Sequence, residues 1–153
     1  MNALDKLEQY IDEVPRQLLA LSEGQLVQHI PGKWSPKQVL GHLIDSAIHN
    51  LKRFTEAQFA EGLYQVQGYN QNQLVIVNHY QTLPLDHLLG LWSSLNRQIV
   101  YVAKHMSVQV RNQPIRVGAV DAPSQTLAWL IDDYILHLEH HLKTLTYTRA
   151  GQD

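Results

Sequence analysis

The chain has 153 residues, enough for one domain (1–153) with a buried core and too few for two complete ones. Hydrophobic residues make up 44% and charged residues 17%, a globular rather than a disordered balance. Twelve Lys and Arg against fourteen Asp and Glu leave a net charge of −2, without the basic surplus that draws in a phosphate backbone, so no nucleic-acid partner is expected.

There are no cysteines, which excludes disulfides, thiolate metal sites and a catalytic thiol. Residues 1–10 lack a basic region followed by an apolar stretch, so no signal peptide is expected there. The longest apolar runs, 74–77 and 99–103, are far short of a membrane span. The expected location is the cytoplasm, with no membrane partner.

The N-terminal segment places Leu4, Leu7, Ile11, Val14, Leu18 and Leu21 at alternating steps of three and four, the seam of a helix packed in a bundle. Pro15 removes one ladder bond inside it, which predicts a bend or break. Gly24 and Pro31-Gly32 mark the connection onward.

Ser35-Pro36-Lys37-Gln38 is the clearest helix start: a capping Ser, Pro at the first helical position, and Gln38 to complete a capping box. Leu40, Leu43, Ala47, Leu51 and Phe54 carry this second helix to about Ala60. Trp34, just before the cap, is placed to pack against Gln38 and Val39. Residues 61–83 read as a long polar connection with one short helical stretch at 74–77, and such connections often sit near functional sites.

A third helix after Thr82 has its seam at Leu85, Leu88, Trp92, Leu95, Ile99, Val102 and Met106. Val108, Val110, Ile115 and Val117 alternate around Asn112-Gln113-Pro114, which predicts a small β-hairpin. Asp121, Pro123 and Ser124 announce the last helix, with its seam at Leu127, Ile131, Tyr134, Leu138, His141 and Leu145. The predicted fold is all-α, a four-helix bundle whose two long connections need not give simple up-down order.

The unusual feature is nine histidines. His137 and His141 stand four apart on the last helix, so their rings project from adjacent turns of one face and can reach one ion. The plainer reading is one seam histidine hydrogen-bonded to a neighbour and one half-exposed. A third ligand must come from another helix, and His42 lies beside the apolar stripe of the second. His49, about 10 Å further along the axis, cannot easily share an ion with His42. His49 and His140 read as solvated surface. Asp45 is either an acceptor for a ligand ring N–H or a solvated or ion-paired carboxylate. Asn50 and Arg53 extend the row of His42, either to contact an anionic substrate or to make packing hydrogen bonds.

Gly32-Lys33-Trp34-Ser35-Pro36-Lys37-Gln38-Val39-Leu40-Gly41-His42-Leu43-Ile44-Asp45-Ser46 resembles the second-helix motif of the DinB/YfiT-like superfamily, and His49-Asn50-Leu51-Lys52-Arg53-Phe54 resembles its extension. Tyr69-Asn70-Gln71 is similar to the segment that follows. Asp133-Tyr134-Ile135-Leu136-His137-Leu138-Glu139-His140-His141-Leu142 resembles the family's C-terminal helix with its H-x-x-x-H. The resemblance implies a bundle of the DinB type, frequently a homodimer. It also implies a metal site of one histidine from the second helix and two from the last, here His42, His137 and His141, usually holding zinc or nickel with water. Trp92 and Trp129 add apolar surface in excess of one bundle's interior, in keeping with a dimer.

Members of the family include transferases and isomerases dependent on low-molecular-weight thiols such as mycothiol or bacillithiol, and others carry only an inferred description as metal-dependent hydrolases. The implied function is a metal-dependent enzyme acting on a small-molecule substrate, in which the ion activates a bound thiol or water. The alternative is a non-catalytic metal- or ligand-binding bundle in a stress-related setting. With no cysteine in the chain, any reactive sulfur must arrive with a substrate.

Overall fold

In the computed structural model, residues 1–150 are described, with side chains through Leu145. Four long helices carry the fold: α1 (Ala3–Leu19), α3 (Pro36–Glu56), α5 (Leu85–Lys104) and α7 (Leu127–Ala150). Between them lie the short helices α2 (Glu23–Val27), α4 (Gln71–Val77) and α6 (Val108–Arg111), and three short strands, β1 (Tyr64–Gln65), β2 (Pro114–Arg116) and β3 (Gln125–Thr126). The main packing pairs are α3 with α5, α1 with α5, α3 with α7 and α1 with α7. The long helices that follow one another in sequence, α1 and α3, therefore sit diagonally, and the order is not simple up-down.

Each long helix buries the seam its spacing predicts. On α1, Leu7, Ile11, Val14 and Leu18 are buried, and Asn2 caps the first turn by accepting from Asp5 N at 2.9 Å. The helix runs unbroken through Pro15 to Leu19, so of the bend or break expected there the break does not occur. Val14 and Leu18, buried on either side of the proline, hold the last turn against the core and offset its lost ladder bond.

The start of α3 follows the capping-box chemistry: Gln38 N donates to Ser35 Oγ at 3.2 Å and Ser35 N to Gln38 Oε1 at 3.0 Å. Ser35 Oγ also meets Gln81 Oε1, and Gln81 Nε2 donates to Val27 O at 2.7 Å, which ties this helix start to two connections. Trp34 places its ring against His42, 4.9 Å between centroids, a contact one turn beyond the expected one. On α5, Trp92 is fully buried in the chain's own core, whereas Trp129 on α7 keeps 39% of its surface exposed.

The hairpin predicted around Asn112-Gln113-Pro114 is not formed. Ser107 caps α6 by accepting from Val110 N at 3.1 Å, so residues 108–111 are helical and Val108 faces solvent. Residues 114–116 do form a strand, but β2 pairs with partners remote in sequence. It runs parallel to β1 (Tyr64↔Ile115) and antiparallel to β3 (Ile115↔Gln125), and Ile115 is fully buried. This small sheet fastens the 61–83 connection to the start of α7. Val66, Val75 and Tyr80 anchor the same connection in the core, with α4 packed on α3. No helix among the described residues is long and apolar enough to cross a membrane.

Candidate metal centre

His42 lies two turns into α3, beyond the Ser35 cap, and His137 and His141 lie on adjacent turns of α7, which packs against α3. The three rings converge through the same atom. Nε2 of His141 is 3.1 Å from Nε2 of His42 and 3.0 Å from Nε2 of His137, and one ligand atom from each ring lies within 4.8 Å of the others. His42 is fully buried, His141 half-buried and His137 exposed, so the cluster opens outward along α7.

Protons alone do not satisfy this arrangement. A neutral imidazole Nε2 offers either one N–H or one lone pair, yet His141 Nε2 faces two neighbours at hydrogen-bond distance. A single cation that accepts all three lone pairs removes the conflict. Around a tetrahedral ion with bonds of about 2.0–2.1 Å, ligand atoms stand roughly 3.3 Å apart, close to the two separations seen. The donor set, three imidazole nitrogens, is of the kind that holds a divalent transition ion.

The electrostatics keep His42 and His141 neutral. Burial first, and then the neighbouring histidines, push His42 and His141 down to about 4 from the usual 6.5. A depressed histidine means the unfolded chain binds more protons than the folded one between those limits, so stability falls as pH drops. We expect the metal-free protein to lose stability progressively from about pH 6.5 to about pH 4. Urea unfolding at stepped pH values checks this, and an equally steep loss in a His42→Gln/His141→Gln variant would refute it.

The other residues singled out in the sequence take different places. Asp45 is buried, and its Oδ1 accepts from Tyr80 OH at 2.6 Å and Asn78 Nδ2 at 3.2 Å. It is neither solvated nor ion-paired, and these donors, not a histidine ring, are its partners. Its Oδ2 and His42 Nδ1 are buried without partners, and burial raises the Asp45 carboxyl above its ordinary range. His49 is not solvated surface: its Nδ1–H donates to Asp45 O at 2.8 Å and its ring stacks on Tyr69 at 4.1 Å. His140 is exposed.

Asn50 is buried and donates to Ser46 O at 2.8 Å, while its Oδ1 accepts from Arg53 NH1 at 3.4 Å. Arg53 NH2 donates to Gln67 O at 2.5 Å, and its guanidinium lies 5.5 Å from the centre of the Tyr69 ring. Both residues thus make packing hydrogen bonds, and both also line a cavity of about 470 Å³. Its walls include Ser46, Asn50, Arg53, Tyr69, Asp133 and His137, so one histidine of the cluster forms part of this cavity. Sequence reasoning misses Val66, Gly68, Val117 and Gly118 of the far wall, which the small sheet brings together across fifty positions. Buried Tyr134, which donates to Asn96 Oδ1 at 2.6 Å, is likewise visible there only as a seam residue.

Residues 5–145 match the family model of the DinB superfamily. No curated protein gives a significant sequence match. Among solved structures, the chain is similar to YfiT from Bacillus subtilis, described as a probable metal-dependent hydrolase with an unusual four-helix bundle topology. The TM-score is 0.82 at 21% identity, over 97% of this chain and 87% of that one. It is also similar to a mycothiol-dependent maleylpyruvate isomerase, with TM-score 0.66 at 16% identity over 92% of this chain. The chain covers only 58% of the isomerase's length. At these identities the likeness is one of fold.

Proposed function

The chain belongs to the DinB superfamily, and from that premise we propose that it is a metal-dependent enzyme for a small-molecule substrate, with one divalent transition ion held by His42, His137 and His141. The observation that carries this reading is the convergence of three Nε2 atoms at the wall of a cavity large enough for a small molecule. Among the described residues no Asp or Glu joins the three histidines, and a three-histidine set leaves room for an exchangeable partner. When bound, an ion held by neutral imidazoles brings the ionisation of a water or thiol down towards neutral pH.

The chain's own residues supply the rest. Trp34 and the buried start of α3 keep water from the inner side of His42 and hold its ring in place. His137, exposed and on the cavity wall, presents the open side of the cluster to an incoming molecule. Asn50 and Arg53 are fixed by Ser46 and Gln67, and so offer a rigid polar wall to the remainder of the substrate.

Two reactions suit this site: hydrolysis of an ester or amide, and transfer of a low-molecular-weight thiol. The absence of cysteine makes the second dependent on a thiol cosubstrate, and the fold shared with a mycothiol-dependent isomerase favours testing it. The purified protein is assayed with p-nitrophenyl esters, and separately with a small thiol and an electrophile. Either activity is expected to vanish on treatment with dipicolinate and to return with one equivalent of zinc or nickel. Activity that survives complete metal removal would overturn the proposal. A fully loaded protein inert in both assays, with a fourth side chain on the ion, would favour a metal-binding bundle without catalysis.

A further inference from the structure

The cavity beside the histidines has two chemically different ends. At one end stands His137 with its two partners. The other end is formed by Arg53, whose guanidinium is half-buried and held by neutral groups only: Gln67 O, Asn50 Oδ1 and the face of Tyr69. Among the described residues no carboxylate pairs with Arg53, although Lys6, Lys37, Lys52 and Lys104 each have one. A guanidinium has five N–H donors in a planar fork, and neutral acceptors leave its charge uncompensated. The one carboxylate on the cavity wall, Asp133, does not form an ion pair with it.

From this arrangement we propose that Arg53, positioned by Asn50 and Tyr69, is a specificity-determining residue that binds an oxyanion group, carboxylate or phosphate, on the substrate. The proposal rests on the reading above for what the histidine end does, but not for the binding of the anion. Arg53 is eleven residues beyond His42 on α3, about 16 Å along the axis. The substrate class is therefore an organic anion whose charged group stands across the cavity from the atoms that react. A planar fork held on a helix suits such a group, since charge-assisted and bidentate contacts are the strong ones.

The test uses the metal-free full chain, so that direct coordination of an anion to the ion cannot imitate the site. Benzoate, phenylphosphonate and the neutral benzamide have similar shapes and differ in the group offered to Arg53. By titration calorimetry, at least one anion is expected to bind about tenfold or more tightly than benzamide. Arg53→Gln is expected to remove that preference, with thermal stability and metal content unchanged, and Arg53→Lys to keep part of it. The better anion identifies the group as carboxylate or phosphate. Should Arg53→Gln fail to fold, the Arg53 Nε–H resonance of the wild type gives the same answer, because it must shift with the anion and not with benzamide. Equal binding of all three probes, or anion binding untouched by Arg53→Gln, would overturn the proposal and leave the metal reading standing. A chain that binds the anions through Arg53 yet takes up no metal would instead overturn the metal reading and leave the anion site standing.

Discussion

Alanine at both His137 and His141 is expected to lower the affinity for a divalent transition ion by on the order of ten thousandfold, the loss of two of three protein ligands. Structural zinc sites with four ligands bind with about 10–16 kcal/mol, so each ligand carries roughly 3–4 kcal/mol, or a hundredfold or more in affinity. His42→Ala alone should cost about a hundredfold by the same reasoning. His140→Ala and His49→Ala should change it by less than about threefold, since the first is exposed and the second is occupied with Asp45 O and Tyr69. Metal content after dialysis against a calibrated chelator, with circular dichroism for the fold, measures all four. The helices should persist in the double variant, because Leu7, Leu40, Leu43, Leu88, Trp92 and Ile99 are fully buried without any help from an ion. Stoichiometric metal retained by the double variant would end the assignment. The cobalt-loaded wild type offers a further check, since azide should alter its visible spectrum if a position is open, and leave it unchanged if a fourth side chain fills it.

The parts of this molecule that can be read from sequence are those where the cause is local. The seam on α1, the Ser35–Gln38 box and the four-residue step between His137 and His141 each depend on spacing within one helix. Which histidine on another helix joins them is not a local matter, and the choice of His42 leans on the resemblance to a family motif. Where the cause is distant, sequence and structure part. The alternation at 108–117 has the pattern of a hairpin, but Ser107 caps a helix there, and the partners of Ile115 lie at Tyr64 and Gln125. The chemistry of Pro15 alone favours a bend or break, and the buried residues around it hold its turn in the helix. The place of Asp45 on its helix leaves a histidine partner and a solvated or ion-paired carboxylate equally open, whereas its partners Asn78 and Tyr80 come from the 61–83 connection, whose path no periodicity reveals.

That connection depends on one residue whose purpose the motif alone does not disclose. Gly41, on the buried face of α3, lies against Tyr80, and a Cβ there would stand 2.1 Å from Tyr80 Cδ2, 2.3 Å from Cγ and 2.7 Å from Cβ. The clash reaches the root of the side chain, so no rotation of the ring relieves it and the backbone of residues 80–82 must move away. Moving it weakens the bond from Tyr80 OH to Asp45 and strips a buried carboxylate of a donor. Overpacking of this kind costs about 1–3 kcal/mol and the lost hydrogen bond about 1–3 more, against a gain of up to about 1 from replacing Gly in a helix. Gly41→Ala is therefore expected to destabilise by about 2–4 kcal/mol, a fall in Tm of roughly 5–15 °C. Gly90→Ala, at an exposed position of α5 where nothing lies within 4 Å, should instead leave stability unchanged or raise it by up to about 1 kcal/mol. Calorimetric melting of the two variants separates close approach from helix propensity, and equal stability of Gly41→Ala and wild type would refute the packing argument. The same connection supplies Tyr69 to the cavity wall, so the displacement that lowers Tm should also weaken anion binding at Arg53 while metal uptake by the three histidines persists.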